Sequence, residues 1–293
     1  MPFPSPVPTF HDSVYDAINP KNLSAAGKTV LITGGGQGLG IAFAKAFSIA
    51  GAANIVLFGR KLNTLNETKS IVEGLSGNKS KVHTYAVDIT DKTTVDKTFA
   101  EVASNIGLID VYVANAGYLA TMGPIATVDV AELQTSVNIN MIGTLITIQA
   151  FLKHKAANAT IIGLNTGASH IYYFGPMALY SATKAGDARL FDAVATENTD
   201  VRVFNIHPGV IATDMAAKAG MDAAAKDTPD LPASFAVWLT QPEAEFLRGR
   251  FVWANWDVTE LQSIKEEITS QDMFKFELGG WPFKHQVSTA WAP

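Results

Sequence analysis

Short apolar runs alternate with longer helix-patterned stretches along most of this chain. The runs fall at Lys28–Thr33, Asn54–Phe58, Lys81–Val87, Asp110–Ala114, Thr160–Leu164, Val201–Ile206 and Arg250–Trp253, and each reads as a strand. Between them lie stretches such as IAFAKAFSIAG, closed by Gly51, and the Ala-rich SATKAGDARLFDAVATE, which read as helices. Two further apolar-patterned segments, Val130–Phe151 and Ala178–Thr196, are long enough for several turns each. Strand and helix in alternation build a parallel sheet with helices on both faces. The expectation is an α/β fold of about seven strands, doubly wound, in a single domain over residues 26–293. Residues 1–25, rich in Pro and polar residues, are expected to lie on the surface as an extension, and no repeat or linker interrupts the rest.

The first strand ends in a turn crowded with glycine, Thr33-Gly-Gly-Gly-Gln-Gly-Leu-Gly40. A strand, a glycine turn and a helix present backbone N–H groups and a helix N-terminus to a pyrophosphate. The spacing Gly34-xxx-Gly38-x-Gly40 differs from the commoner G-x-G-x-x-G fingerprint. About twenty residues later, where NAD-binding proteins place a carboxylate on the ribose, the chain reads Leu57-Phe-Gly-Arg60-Lys61. With no carboxylate there, Arg60 is suited to pair with a 2′-phosphate, which favours NADP(H). The alternative is a solvent-exposed Arg opening the next helix. Gln37, where many NADP-binding proteins carry a basic residue, weighs against the assignment.

Tyr180 precedes Lys184 by four residues, which on a helix places them on one face. A free tyrosine titrates near ~10, and an ammonium beside it makes the phenolate easier to form. The pair is a candidate acid/base couple; a packed Tyr beside a snorkelling Lys is the structural alternative. Upstream, Gly167-Ala-Ser169-His170-Ile has the look of a nucleophile elbow but lacks its last Gly and its strand–turn–helix context.

These motifs together resemble the short-chain dehydrogenase/reductase family: TGGGQGLG at Thr33–Gly40, Asp88-Ile-Thr, ANAG at Ala114–Gly117, Asn140-Met-Ile-Gly143, YSATK at Tyr180–Lys184 and HPGVIAT at His207–Thr213, in the family's order. The SAAGKTVLITGGG opening and the late FVWANWDV segment are similar to fungal members found in specialised metabolism. The resemblance implies a Rossmann-type fold and hydride transfer between a nicotinamide and a carbonyl or alcohol. Tyr180 would supply the proton, Lys184 would hold the nicotinamide ribose, and Asn140 would fix a water linking Lys184 to solvent. Where most members carry Ser after the fifth strand, Thr166 stands here, keeping the hydroxyl but adding a methyl; Ser169 is the competing hydroxyl.

For the cofactor, the resemblance implies contacts from Gly34, Gly36, Gln37, Gly38, Leu39, Gly40 and Arg60. Asp88 would accept from the adenine amine with Ile89 on the ring. Asn115, Ala116 and Gly117 would approach the ribose, and Pro208, Gly209, Ile211 and Thr213 would complete the site. Thr90 also reads as the N-cap of the following helix. Ser169, His170, Tyr172 and Met215 are candidate substrate contacts. The small, Ala-rich segment from about 213 to 233 suits a lid, and its lack of a basic cluster favours a small, neutral and fairly apolar ketone or alcohol; the fungal resemblance implies a polyketide or another secondary metabolite. Relatives pair subunits through the two helices at 130–151 and 178–196, which implies a homodimer or homotetramer. Dehydration, epimerisation, cyclisation and a non-enzymatic redox-sensing role remain alternatives on the same fold.

Composition sets outer limits. The chain has 293 residues, no Cys and six His without metal-ligand spacing, which leaves no disulfide frame or thiolate zinc site and predicts no metal. A net charge of −5 without a basic cluster offers nucleic acid no footprint. The opening MPFPSPVPTF lacks the features of a signal peptide, and no uninterrupted apolar run reaches about 18 residues, so a cytosolic protein that neither spans nor binds membrane is expected. All five Trp, at 238, 253, 256, 281 and 291, lie late in the chain. They either pack its C-terminal part or reach the substrate pocket.

Overall fold

The computed structural model describes residues 5–75, 77, 79–171, 176–218, 220 and 225–277. Tyr172, and with it Tyr173, Trp281 and Trp291, lies outside the described residues. Seven strands, β1 (Thr29–Thr33), β2 (Asn54–Gly59), β3 (Lys81–Ala86), β4 (Ile109–Ala114), β5 (Lys155–Leu164), β6 (Arg202–His207) and β7 (Arg250–Trp253), form one sheet in the order β3-β2-β1-β4-β5-β6-β7. Every pairing is parallel. The strand order reverses between β1 and β4, the place where doubly wound sheets open a crevice at their carboxyl ends.

Successive side chains of a strand point to opposite faces, and here both faces are buried. Val30, Ile32, Ile55, Leu57, Val111, Val113 and Ile206 join one core with Phe43 and Phe47 of α1 (Leu39–Ile49), Leu65 and Val72 of α2 (Leu62–Glu73) and Phe235 of α8 (Asp230–Leu239). Leu31, Val56, Tyr112, Ile161 and Val203 face a second core with Phe99 of α3 (Lys92–Asn105), Phe151 of α5 (Thr144–His154) and Phe191 of α6 (Ala178–Glu197). A parallel sheet covered on both sides is the expected Rossmann-type arrangement.

Three local expectations change. Asp91, not Thr90, caps α3: its carboxylate accepts from the Thr94 N–H at 3.2 Å, while Thr90 is drawn back onto Asp88. Strand β5 begins at Lys155, where pairing with Ile109 supplies ladder partners that residue type alone does not signal. The stretch from Val130 is not one regular helix. It runs as α4 (Val130–Val137), a π-helical turn over Asn138–Gly143 and α5. By length and composition Val130–His154 would also suffice to cross a bilayer, with mean hydropathy 1.2, but half of that window is buried in the protein fold.

The N-terminal segment lies against the last elements of the chain. The His11 N–H donates to the Asn255 carbonyl at 2.7 Å, His11 Nε2 meets Asp257 at 2.8 Å, and Ile18 is fully buried.

Candidate active site

Helix α6 carries Tyr180, Lys184 and Asp187 on one side. Lys184 is 4% exposed and Asp187 1%. The Lys184 ammonium donates to the Leu164 carbonyl at 2.8 Å, at the end of β5, and to Asp187 Oδ2 at 2.9 Å. Burial by itself pushes the ammonium towards deprotonation, but Asp187 and Tyr180 together hold its pKa above the ordinary lysine value. Burial pushes the Tyr180 phenol up; the Lys184 field opposes this and Asp187 adds to it. The expected lowering by Lys184 is present as one contribution, and burial outweighs it. Asp187 had no signal in the sequence beyond being an acid one turn past a lysine.

Asn140 sits fully buried in the π turn, its side chain tied at 2.7 Å to the Tyr118 N–H, at 2.9 Å to the Tyr118 carbonyl and at 3.1 Å to Thr183. An extra residue in the turn swings Asn140 towards the loop after β4. The added Cβ of an alanine at Gly117 would lie 3.6 Å from Asn140 Oδ1 and 3.9 Å from Lys184 Nζ, so the loop, the π turn and α6 converge there.

The two candidate hydroxyls separate clearly. Thr166 lines the same cleft as Tyr180 and Lys184, and its Oγ1 accepts from the Ala168 N–H at 3.2 Å. Ser169 turns back, donates to the Thr166 carbonyl at 2.7 Å, and borders a different cavity of about 570 Å³ walled by Phe251, Trp253, Trp256, Phe274 and Phe276. His170 lies on that second cavity too, its Nε2 accepting from the Trp253 indole N–H at 3.1 Å. Beneath Thr166, the buried His207 accepts from the Gly167 N–H through Nδ1 at 3.0 Å; burial, with a small addition from His170, pushes its pKa down to about 3.

The glycine turn packs as a cradle. Gly38 caps α1 with φ 54°, a conformation that favours glycine, and no side chain satisfies the first turn's N–H groups. A Cβ on Gly40 would stand 2.2 Å from the Gly34 carbonyl oxygen, so only glycine lets helix and loop approach this closely. Asn115 crosses from β4, donating to the Thr33 carbonyl at 2.8 Å, and the Asn115 and Ala116 N–H groups both reach Thr33 Oγ1. Gln37 and Arg60 are exposed, and Arg60 has no ion-pair partner among the described residues. Asp88 is exposed at the end of β3, with Oδ1 held by Thr90 at 2.7 Å, and Ile89 packs towards Gly143 of the π turn. Leu39, Pro208, Gly209, Ile211 and Thr213 share the Tyr180 cleft. A close-packed glycine cradle, an α1 N-terminus without a side-chain cap and, at the end of β2, an Arg60 with no ion-pair partner among the described residues fit a dinucleotide.

The short chain dehydrogenase family model matches residues 28–224. The chain belongs to the short-chain dehydrogenase/reductase family. A short chain dehydrogenase/reductase of Claviceps purpurea is 32% identical to it over 278 residues, covering 92% of this chain and 93% of that protein. Short chain dehydrogenase mpl6 of Monascus purpureus is 33% identical over 276 residues, covering 92% and 94%. Among solved structures, a short-chain dehydrogenase of Burkholderia cenocepacia in complex with NADP has a TM-score of 0.71 at 23% identity, covering 80% of this chain and 98% of its own. Its likeness is one of fold. This dehydrogenase is thus an oxidoreductase of a family that uses nicotinamide cofactors.

Helix α7 (Asp214–Lys218) borders the cleft through Met215 and Ala216. Met215 Sδ lies 4.0 Å from the Tyr180 hydroxyl. Lys218 reaches over the Tyr118 ring, 4.6 Å from its centre, and donates to the Leu119 carbonyl at 2.5 Å. Tyr118, Lys218 and His207 carry contacts that motif spacing does not announce.

Proposed function

We propose that this dehydrogenase transfers hydride between NADP(H) and the carbonyl or alcohol carbon of a small, fairly apolar molecule, a polyketide or similar secondary metabolite, with Tyr180 as general acid/base. The observation that carries this reading is one cleft that brings Tyr180, Thr166 and Lys184 together with Leu119, Met177, Ile211 and Met215. When bound, the nicotinamide supplies or accepts the hydride. The residues of the cleft supply the rest. As negative charge grows on the substrate oxygen, Tyr180 donates its proton, and the Thr166 hydroxyl gives the fixed hydrogen bond that holds that oxygen. Lys184 stays charged beside Tyr180 and offers its remaining N–H to the ribose. The Asn140 side chain is held by Tyr118 and Thr183, which keeps the π turn beside Lys184, where Asn140 would fix a water. Met215 and the apolar wall exclude bulk water. Arg60, exposed with no carboxylate at the end of β2, supports the choice of the phosphorylated dinucleotide.

The test is NADPH consumption with a panel of aromatic and cyclic ketones. Tyr180→Phe keeps the ring and removes the proton donor, so turnover should fall by roughly a hundredfold or more. Thr166→Val should lose less, and Ser169→Ala least, since Ser169 lies on the other cavity. A Phe variant as fast as the parent would remove Tyr180 from the mechanism. In parallel, fluorescence titration should show NADPH binding more tightly than NADH, with Arg60→Ala erasing about 1.5–3 kcal/mol of that preference. Equal affinities in the unaltered protein would rule out the cofactor choice.

A further inference from the structure

The inference concerns Asp187, and it rests on Tyr180 being the proton donor. A carboxylate 1% exposed on a helix face that packs into a core is an unusual choice, because an apolar side chain there needs no partner. Its partner is the lysine of the acid/base couple, at 2.9 Å. The ammonium has three N–H groups: one goes to Leu164, one to Asp187, and only the third remains to face the cleft beside Gly117. We propose that Asp187 is a positioning residue that cancels the Lys184 charge and so keeps Tyr180 in its protonated, proton-donating form.

The electrostatics follow from charge counting. A lone ammonium one turn away stabilises a phenolate, whereas an ammonium tied to a carboxylate presents a neutral pair whose field falls off faster, and the carboxylate itself repels the phenolate. Burial pushes the Asp187 carboxyl up, and the Lys184 charge, with its hydrogen bond at 2.9 Å, opposes that push and favours the ion pair. Among the described residues the titratable groups that bear on Asp187 are Lys184 and Tyr180 from α6 and Tyr112 from β4. Tyr112 is fully buried and hydrogen-bonded to Thr147, so it stays neutral and adds no charge. With Tyr180 protonated across the neutral range, the site is set to donate a proton to a carbonyl oxygen. The reverse step needs the phenolate as base and is delayed to high pH. The ketone–alcohol equilibrium itself is untouched; what shifts is the pH range in which each direction runs.

The test needs no substrate. The full chain, labelled with ¹³C at tyrosine Cζ, is titrated by NMR, and Tyr180→Phe identifies the Tyr180 signal. In the unaltered protein this signal should not ionise below about pH 10. In Asp187→Asn, and in Asp187→Leu, which fills the space with apolar atoms if the amide variant fails to fold, the midpoint should drop by about one pH unit or more. An unaltered midpoint well below that of free tyrosine, or a folded variant with an unmoved or raised midpoint, overturns the proposal. A merely structural role for Asp187 would change the melting temperature and leave the midpoint in place. If Tyr180→Phe retains full activity while the midpoints shift as described, the function reading fails and the electrostatic coupling stands, so the two failures are distinguishable.

Discussion

His207 is neutral because it is buried, and that makes it a source of acid sensitivity. Its folded pKa lies at about 3, below the ordinary value of 6.5. Between those values the unfolded chain takes up a proton that the folded chain refuses, so the stability contribution is intact above about pH 6.5 and is lost as pH falls towards 3. The full loss is on the order of 4–5 kcal/mol. Urea unfolding between pH 7 and pH 4 should therefore show a steeper decline for the unaltered protein than for His207→Gln, which has nothing to protonate. Parallel profiles would mean that the ring is already protonated or relieved by solvent. At this scale the four-residue interval singled out Tyr180 and Lys184, because their chemistry depends on residue type and spacing, whereas Asn140 and Thr166 were legible only through the family resemblance. Motif spacing gave no role to His207, which appeared only as the first residue of HPGVIAT, and passed over Tyr118 and Asp187. Their importance comes from what they touch, at separations such as the 40 residues between Gly167 and His207, and no local pattern encodes that.

The elements that could be read along the chain are those whose period is enforced by burial. Each of the seven strands overlaps a run that predicts it, with β5 starting earlier, at Lys155; the inner strands carry apolar side chains for two covered faces, while the edge strand β3 buries only Val82. What escaped was irregularity inside an element: the π turn at Asn138–Gly143 keeps a helical hydrophobic pattern on either side, so periodicity alone cannot see it. The same holds for the second cavity, whose aromatic wall gathers β7 with the chain around Phe274 and Phe276. The glycine turn and α1 are a rigid joint, and this can be tested. Gly40→Ala would set a methyl 2.2 Å from the Gly34 carbonyl, between two backbone segments that cannot both give way. It should destabilise the protein by about 1–3 kcal/mol and weaken NADPH binding about tenfold or more through the displaced loop. Gly51→Ala is the control: it has φ 88° and open space around it, so it should lose about 1 kcal/mol with cofactor affinity unchanged. Equal effects on affinity from both substitutions would count against the cradle.

At the scale of the whole molecule, the doubly wound architecture follows from alternation, and the crevice follows from the reversal of strand order between β1 and β4. Surface use is a separate question, because an exposed apolar residue looks the same in sequence as a buried one. Val130 is 68% exposed, Ile142 45% and Leu145 39%, on the α4–α5 side of the subunit. The same stretch buries Ile148 and Phe151 on its inner side, so apolar residues occupy both its faces. An apolar outer face beside the π turn is what an isologous contact between two copies would cover, with each residue meeting its symmetry partner's neighbourhood. We propose that the protein is a homodimer or a homotetramer built from such a dimer. Light scattering at micromolar concentration should give at least twice the 31.3 kDa chain mass. Replacing Ile142 and Leu145 together with Glu places charges that the contact would have to bury unpaired, and should yield a folded monomer. A unaltered chain that runs as a clean monomer, or a double variant that stays assembled, would place the interface elsewhere or remove it.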